Sequence, residues 1–156
     1  MLWSIYMAFG KQTHKGKYRV KNPSKYIGDI DDVVYRSSWE RAAFLWCDRQ
    51  PHVKQWNSEG IVIPYRSSVD GKPHRYFVDL YLEMADGRKW IIEIKPSKET
   101  RPPRKSANRQ RYMTESLTYI KNQNKWDAAR QFAKKQGWTF MIWDEHFLKS
   151  SGILKF

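Results

Sequence analysis

Residues 75–95 read RYFVDLYLEMADGRKWIIEIK, and this stretch decides the fold that we expect. Apolar side chains recur at every second position in residues 75–83 and again in residues 89–95. Such alternation is typical of β-strands, because successive side chains of a strand point to opposite faces. Asp86 and Gly87 lie between the two runs and are favoured in tight turns. The stretch therefore predicts a β-hairpin, and one face of its first strand should carry Tyr76, Val78, Leu80 and Leu82.

The turn also predicts the register of the hairpin. A three-residue loop that ends with Gly87 in the left-handed conformation pairs Met84 with Arg88. Directly opposite residues of an antiparallel pair keep a constant sum of residue numbers, so the same register places Asp79 opposite Glu93. Both carboxylates interrupt strands that are otherwise aromatic or β-branched. An ionised carboxylate in such surroundings is costly unless a cation or hydrogen-bond donors compensate it.

The facing carboxylates and the lysine that follows them suggest a metal site. Like charges repel at the distance of a cross-strand pair, and a divalent cation between Asp79 and Glu93 would reverse that. Lys95 lies two residues further along the same face, within reach of a water bound to such an ion. Oxygen ligands suit Mg²⁺ or Mn²⁺ better than zinc, and such an ion can activate water for attack on a phosphodiester. The alternative is a cross-strand ion pair on a solvated face, and the pattern alone leaves both open.

The composition predicts a polyanionic partner. The chain has 29 Lys and Arg against 16 Asp and Glu, and its net charge of +13 favours binding to nucleic acid. The alternatives are a charge that only keeps the protein in solution and an attraction to an anionic membrane surface. Hydrophobic residues make up 40% of the chain, which predicts a folded core rather than disorder. The sole cysteine, Cys47, excludes an internal disulfide and argues against structural zinc.

Length and local composition predict one domain with a basic N-terminal arm. A chain of 156 residues is long enough for one core and too short for two full domains. Residues 1–25 contain six Lys or Arg and no acid, so we expect a mobile arm followed by a single domain over residues 26–156. We expect no membrane partner, because no window approaches the roughly 20 apolar residues of a membrane span. The apolar start lacks a basic region and a cleavage site, so we expect no signal peptide.

The remaining elements predict a mixed α/β architecture. Helical spacing, strand-like runs and turn residues indicate a helix at 37–50, a strand at 61–63, the hairpin, helices at 109–121 and 125–136, a strand at 138–143 and a short helix at 144–149. This order has an αβββαβ core and predicts a mixed sheet flanked by helices. Most of the tryptophans fall at helix or strand positions, so we expect them in the core rather than in a stacking platform.

The sequence supports two roles for Glu40. Ser37 followed by Glu40 matches the capping box of a helix N-terminus, in which the glutamate is structural. Glu40 also shares a helix face with Phe44 and Cys47, which favours a position toward the interior, where its carboxylate could join a site.

A basic run follows the second strand of the hairpin. Between residues 95 and 111 the chain has seven Lys or Arg and one acid. Phosphate contacts from such a run would position DNA without reading its sequence. The alternative is a solvated basic loop. The residues that we expect to contact DNA are Lys98, Arg101, Arg104, Lys105, Arg109 and Arg111.

Several longer stretches carry a family resemblance. They are NPSKYIGD at 22–29, YRSSWE at 35–40, SEGIVIPY at 58–65, RYFVD at 75–79 and IEIKPSKETRPP at 92–103. Together they resemble the head-completion nuclease family of T-even-type bacteriophages, over roughly residues 17 to 145. Asp79 with Glu93-Ile94-Lys95 is also a loose form of the PD-(D/E)xK nuclease signature. A more distant similarity is to the endonuclease subunit of cut-and-paste transposases.

The resemblance implies a restriction-endonuclease-like fold and a Mg²⁺-dependent DNA endonuclease, with Mn²⁺ as a substitute, that acts in head completion after DNA packaging. Lys95 would orient the attacking water or stabilise the transition state. Glu59 and Glu99 are either supporting residues behind the metal ligands or surface charges. The implied metal ligands are the carboxylates of Glu40, Asp79 and Glu93 and the main-chain carbonyl of Ile94.

The resemblance also implies partners and a location. The partners would be DNA and the phage head, portal or head–tail connector proteins, with no small-molecule cofactor. The location would be the host-cell cytoplasm during assembly, or the virion. Two other functions stay open: a virion DNA-binding or connector-associated structural protein with dispensable nuclease activity, and a transposase-type or repair endonuclease.

Overall fold

The structure is a computed structural model that describes residues 15–155. Eight strands and three α-helices follow one another along these residues. The strands are β1 Gly16–Lys17, β2 Val34–Tyr35, β3 Val53–Ser58, β4 Val62–Arg66, β5 Pro73–Phe77, β6 Leu80–Met84, β7 Lys89–Ile94 and β8 Thr139–Trp143. The helices are α1 Ser38–Arg49, α2 Arg109–Gln136 and α3 Glu145–Ser150, and 3₁₀ helices lie at Pro23–Lys25 and Ser97–Thr100. Within the described range, no helix combines the length and the apolar character needed to cross a membrane.

The hairpin forms with the predicted register. Strands β6 and β7 pair antiparallel, with Leu80 opposite Ile92. At the turn Gly87 has a φ of 93°, and the N–H of Met84 donates to the C=O of Arg88 over 2.8 Å. Glycine adopts such a left-handed conformation without steric penalty, so the turn holds the register of the two strands.

The hairpin forms the middle of a four-stranded sheet of order β3-β6-β7-β8. The pair β7–β8 is parallel and the other two pairs are antiparallel, so the sheet is mixed as predicted. Helices α1 and α3 pack on one face around Trp56 and Leu80, and α2 packs on the other around Tyr81 and Ile91. Fully buried tryptophans, such as Trp143, confirm that these rings belong to the core.

The first strand of the hairpin is shorter than predicted. The sequence predicts one strand over residues 75–83, whereas the chain bends at Asp79, between β5 and β6. Strand β5 leaves the central sheet and pairs with β4 in a sheet of two strands. Val78 follows β5 and donates its N–H to the C=O of Ile61 rather than to the central sheet.

The bend also changes which side chains share a face. Tyr76 and Val78 pack in the cluster beside α2, whereas Leu80 and Leu82 pack in the cluster beside α1. The predicted shared face of these four residues is therefore wrong, because alternation along a strand does not continue through a bend.

Strand β3 was not predicted from the sequence. Its residues, VKQWNS, include one fully buried ring, Trp56, and the exposed Lys54. Polar residues fill much of this edge strand, so its alternation is too weak to separate it from a loop. The short pair β1–β2 was also not predicted. The predicted strand at 61–63 is confirmed within β4, but it lies outside the central sheet.

Helix α2 is a single helix of 28 residues where the sequence indicates two. The polar residues 122–124 lie between the two predicted helices, and none of them prevents helical conformation. The buried residues of α2 begin at Asn122 and continue through Ala133, so its first half is largely exposed. Gly137 ends the helix with a φ of 74°, a left-handed conformation that glycine adopts readily. Asp144 caps α3 by accepting the N–H of Phe147.

The chain that precedes α1 packs against the domain. Tyr18 is buried, and its hydroxyl donates to the carboxylate of Asp48 over 2.8 Å. The same carboxylate accepts the N–H groups of Lys21 and Asn22. Residues 15–25 are therefore a packed segment rather than the mobile arm that their polar composition predicts, because one buried acid binds several of their donors. The rest of the predicted arm, residues 1–14, lies outside the described residues.

We expect Asp48→Ala to lower the free energy of unfolding by about 3 kcal/mol, because it leaves the buried Tyr18 hydroxyl and two partly buried N–H groups without an acceptor. Urea unfolding followed by tryptophan fluorescence measures this change. Asp31→Ala removes an exposed acid from the same N-terminal region and should stay within about 0.5 kcal/mol of the wild type. Equal unfolding midpoints for the two variants would contradict the anchoring role of Asp48.

Candidate active site

Two carboxylates meet where the hairpin leaves the bend. The N–H of Ile94 donates to Oδ2 of Asp79 over 2.8 Å. The ladder of β6 and β7 ends with Leu80 opposite Ile92, one residue before Asp79 and Glu93, and the charges of both acids act on the Tyr76 hydroxyl. The structure therefore brings together the acidic pair that the turn chemistry predicts.

Glu93 is held from two sides. It is 7% exposed, and the hydroxyl of Tyr76 donates to its Oε2 over 2.5 Å. Its Oε1 lies 3.6 Å from the ammonium nitrogen of Lys95. The predicted proximity of Glu93 and Lys95 is present, and the buried hydroxyl adds a contact that orients the carboxylate.

Sequence reasoning missed the contact of Tyr76 with Glu93. Tyr76 is on β5, outside the central sheet, and only the bend at Asp79 turns its hydroxyl toward Glu93. Burial, followed by the charges of Glu93 and Asp79, holds the pKa of Tyr76 well above its usual range. The hydroxyl therefore stays protonated and donates to Glu93.

Glu40 lies at the start of α1 and faces the interior. It is 5% exposed, and its N–H donates to the Ser37 hydroxyl over 3.2 Å. Its own Oε2 accepts the N–H of Arg36 over 2.7 Å. Ser37 therefore caps the helix as predicted, while the carboxylate of Glu40 binds the residue before the cap rather than the cap itself.

Arg36 connects the acids around the site. Its Nε and Nη2 lie 2.8 and 3.3 Å from the carboxylate oxygens of Glu59. The hydrogen bond and charge of Glu59 raise the pKa of Arg36, and the charges of Glu40 and Asp79 contribute in the same direction. The charges of Glu40 and Asp79 therefore both act on the guanidinium of Arg36. Glu59, which has a φ of 57°, supports this arrangement through Arg36. No sequence pattern indicated this role for Arg36.

The predicted ligands have the chemistry that a divalent cation requires, but they do not all lie together. Asp79, Glu93 and the main-chain carbonyl of Ile94 offer the oxygen atoms that such an ion prefers. Across residues 15–155, no group of three or more His, Cys, Asp or Glu side chains is arranged to hold an ion. Asp79 and Glu93 are adjacent, and Glu40 does not complete a three-carboxylate cluster with them.

The six predicted DNA-binding residues are all exposed. They lie on the 3₁₀ helix after β7, on the loop that follows it and on the first turn of α2. A groove of about 680 Å³ separates that loop from one face of α2, and its walls include Lys98, Arg101, Arg104 and Arg111. Arg111 pairs with Glu115 over 2.8 Å. Glu99 is exposed and lines the same groove.

A mixed sheet flanked by helices, with paired carboxylates and a lysine at one end of its central hairpin, defines a nuclease with a restriction-endonuclease-like fold. Residues 50–145 match the family model described as the N-terminal domain of TnsA-like endonucleases. The chain is 42% identical over 145 residues to the head completion nuclease of Enterobacteria phage T4, and the alignment covers 90% of this chain and 97% of the phage protein. The chain belongs to the TnsA-like endonuclease family, which confirms the resemblance found in the sequence.

We expect the free energy of unfolding to fall as the pH rises above about 10, the ordinary pKa of tyrosine. The pKa of Tyr76 is raised in the folded chain, so its stabilisation is present below pH 10. This stabilisation is lost at higher pH, where the Tyr76 hydroxyl ionises in the unfolded chain but not in the folded one. One such tyrosine contributes a slope of up to about 1.4 kcal/mol per pH unit.

Urea unfolding at a series of alkaline pH values measures this slope. Tyr76→Phe should unfold less steeply with pH than the wild type, although it is less stable at neutral pH. Tyr112→Phe, on the surface of α2, should keep the wild-type slope. A slope that Tyr76→Phe leaves unchanged would contradict the prediction.

Proposed function

We propose that this nuclease hydrolyses phosphodiester bonds of DNA with a bound divalent cation, Mg²⁺ in the cell and Mn²⁺ as a substitute. The observation that carries the proposal is the adjacency of Asp79 and Glu93, with the ammonium group of Lys95 3.6 Å from Glu93. This is the arrangement expected for the PD-(D/E)xK type of site. Family membership supports nuclease activity, and the metal and the residue roles are our proposal.

Each site residue has a distinct proposed role. Asp79, Glu93 and the main-chain carbonyl of Ile94 would hold the ion, and Glu40 would add a further carboxylate. When bound, a divalent cation supplies a Lewis acid that lowers the pKa of water and offsets charge on the phosphodiester. Lys95 would orient the attacking water or stabilise the negative charge that develops on the phosphate.

The surrounding donors would preserve the orientation of these groups. The hydroxyl of Tyr76 holds one oxygen of Glu93, and the N–H of Ile94 holds one oxygen of Asp79. Lys95 is positioned by its own main chain, because its N–H donates to the C=O of Trp143 on β8. Groups fixed in this way need little reorganisation when the substrate binds.

We propose that the DNA acted on is that of newly filled phage heads, before tails join. The relative in Enterobacteria phage T4 is named a head completion nuclease, and the alignment spans nearly the whole of both chains. Head, portal or head–tail connector proteins would then be the protein partners, in the host-cell cytoplasm. A structural protein with dispensable nuclease activity is the second candidate, because Glu40 stands outside the Asp79–Glu93 pair in this structure.

Purified protein should cut linear and circular DNA with Mg²⁺ or Mn²⁺ and not with EDTA. Glu93→Ala should slow the cutting by about 100-fold or more, because metal-assisted charge stabilisation contributes several kcal/mol and each 1.36 kcal/mol is tenfold in rate. Glu83→Ala is the matched control, since it removes a glutamate of the same hairpin that lies outside the proposed site. The carboxylate of Glu83 lies 3.9 Å from the ammonium nitrogen of Lys54. If Glu93→Ala cuts as fast as Glu83→Ala, the proposed site is wrong.

The same pair of variants separates the two candidate functions. A phage that lacks its own copy of this protein should yield infectious particles when supplied with the wild type or Glu83→Ala, and not with Glu93→Ala. Rescue by a Glu93→Ala protein that has lost cleavage would favour the structural role and overturn the enzymatic explanation of head completion.

Affinity for duplex DNA should fall steeply with salt, because each phosphate contact releases a bound counterion. Arg101→Ala and Arg104→Ala should each reduce the slope of log K against log salt concentration by about 0.9. Lys135→Ala, an exposed cation in the last turn of α2, is the control and should leave the slope unchanged. Titrations in EDTA, followed by fluorescence anisotropy, measure the slopes. If Arg101→Ala and Arg104→Ala have the same slope as Lys135→Ala, the loop does not contact DNA.

A further inference from the structure

We propose that the groove between the loop of residues 98–104 and helix α2 binds unpaired nucleotides, so that the preferred substrate contains a single-stranded segment beside the cleavage site. The inference rests on the proposed function and adds the class of DNA that the site takes. The loop begins three residues after Lys95, so the groove starts close to the acidic pair along the chain.

One wall of the groove supplies phosphate contacts. Lys98, Arg101 and Arg104 are exposed and line the groove. Among residues 15–155, none of the three forms an ion pair. Glu99 is an acid on the same wall, but the three cations outnumber it, so the net charge of the wall is positive. Unpaired cations in a row suit the backbone of a nucleic-acid strand.

The opposite wall is one face of α2 and differs in chemistry. The groove is lined by residues spaced three and four apart along the helix: Arg111, Thr114, Glu115, Thr118, Tyr119 and Asn122. Arg111 and Asn122 are eleven steps apart along the helix, or about 16 Å, so this wall is long enough for more than one nucleotide. Arg111 and Glu115 pair with each other, which leaves hydroxyl, aromatic and amide groups as the other contacts.

Tyr119 offers a stacking surface. Its ring is half-buried at the groove and packs on no other aromatic ring of the described chain. Bases of single strands stack on such rings without sequence preference, while bases within a duplex already stack on one another. A tyrosine opposite a row of cations is therefore suited to an unpaired base.

Asn122 provides the second, independent indication. It is only 6% exposed and lines the groove, yet its amide has no hydrogen-bond partner among residues 15–155. Its amide atoms are not among the fully enclosed polar atoms that lack a partner, so they are open to the groove, where a ligand can pair with them. An asparagine side chain carries both donors and an acceptor, as the edge of a base does.

A duplex does not use these groups. Base edges inside a duplex reach a recessed amide only after the base leaves the stack, which costs a few kcal/mol. A ligand that offered phosphate alone would engage Lys98, Arg101 and Arg104 and would leave Tyr119 and Asn122 without a contact. The two walls together thus favour an unpaired strand over both a closed duplex and free phosphate.

Fluorescence anisotropy in EDTA, with a labelled single-stranded oligonucleotide and the blunt duplex of the same sequence, tests the inference. The wild type should bind the single strand more tightly than the duplex. Tyr119→Ala should raise the Kd for the single strand about tenfold, because stacking of one base is lost. Asn122→Leu, of similar size, should also reduce the preference. Tyr112→Ala is the matched control, since Tyr112 lies on α2 but does not line the groove.

Thermal melting of each variant accompanies the titrations, and Tyr119→Ala carries the test if the buried Asn122→Leu substitution prevents folding. Equal affinity of the wild type for the two DNAs, or an unchanged preference in Tyr119→Ala, would overturn the inference. Cleavage of duplex DNA with Mg²⁺ is measured on the same preparations. If the protein cleaves DNA but does not prefer single strands, the inference about the groove is wrong and the proposed function stands. If it prefers single strands but cleaves with no divalent cation, the proposed function is wrong and the groove still binds unpaired nucleotides.

Discussion

The hydrogen bond from the N–H of Ile94 to the carboxylate of Asp79 determines where the two sheets part and where the acids meet. Met84 and Arg88 form a hydrogen-bonded pair, and such pairs alternate along an antiparallel ladder, so Ile94 would normally bond to the main chain of Val78. Val78 instead bonds to Ile61, outside the central sheet. The carboxylate of Asp79 replaces the missing main-chain acceptor. Since Ile94 is fully buried, an unsatisfied N–H there would be costly.

The same bend makes the packing of α2 part of the site. Tyr76 leaves the central sheet with β5 and packs in the cluster that contains Trp126 of α2. Its hydroxyl nevertheless returns to Glu93 on β7. The orientation of Glu93 therefore depends on the contact between α2 and the small sheet, as well as on the strand that carries it. A change in the packing of Trp126 would be felt at Glu93 through this one hydroxyl.

The parts of this fold that depend on local chemistry were predictable from the sequence, and the parts that depend on distant segments were not. The register of β6 and β7 follows from Gly87 and the length of its loop, so the pairing of Asp79 with Glu93 could be derived. The bend at Asp79 requires Ile61 to take the N–H of Val78, which no alternation within residues 75–95 encodes. Arg36 and Tyr76 were missed for the same reason, because their contacts with the acids join different elements.

The hydrogen-bond donors around the acids orient their carboxylates. Asp79, Glu93 and Glu40 each accept a hydrogen bond at one oxygen, from the Ile94 N–H, the Tyr76 hydroxyl and the Arg36 N–H. These three donors are neutral, so they orient the carboxylates without cancelling their charge. Among the described residues, the ammonium of Lys95 lies 3.6 Å from Glu93, and the guanidinium of Arg36 is bound to Glu59. In a chain of net charge +13, these acids lie close to a strongly basic loop, and the proposed cation and DNA contacts depend on this contrast of charge.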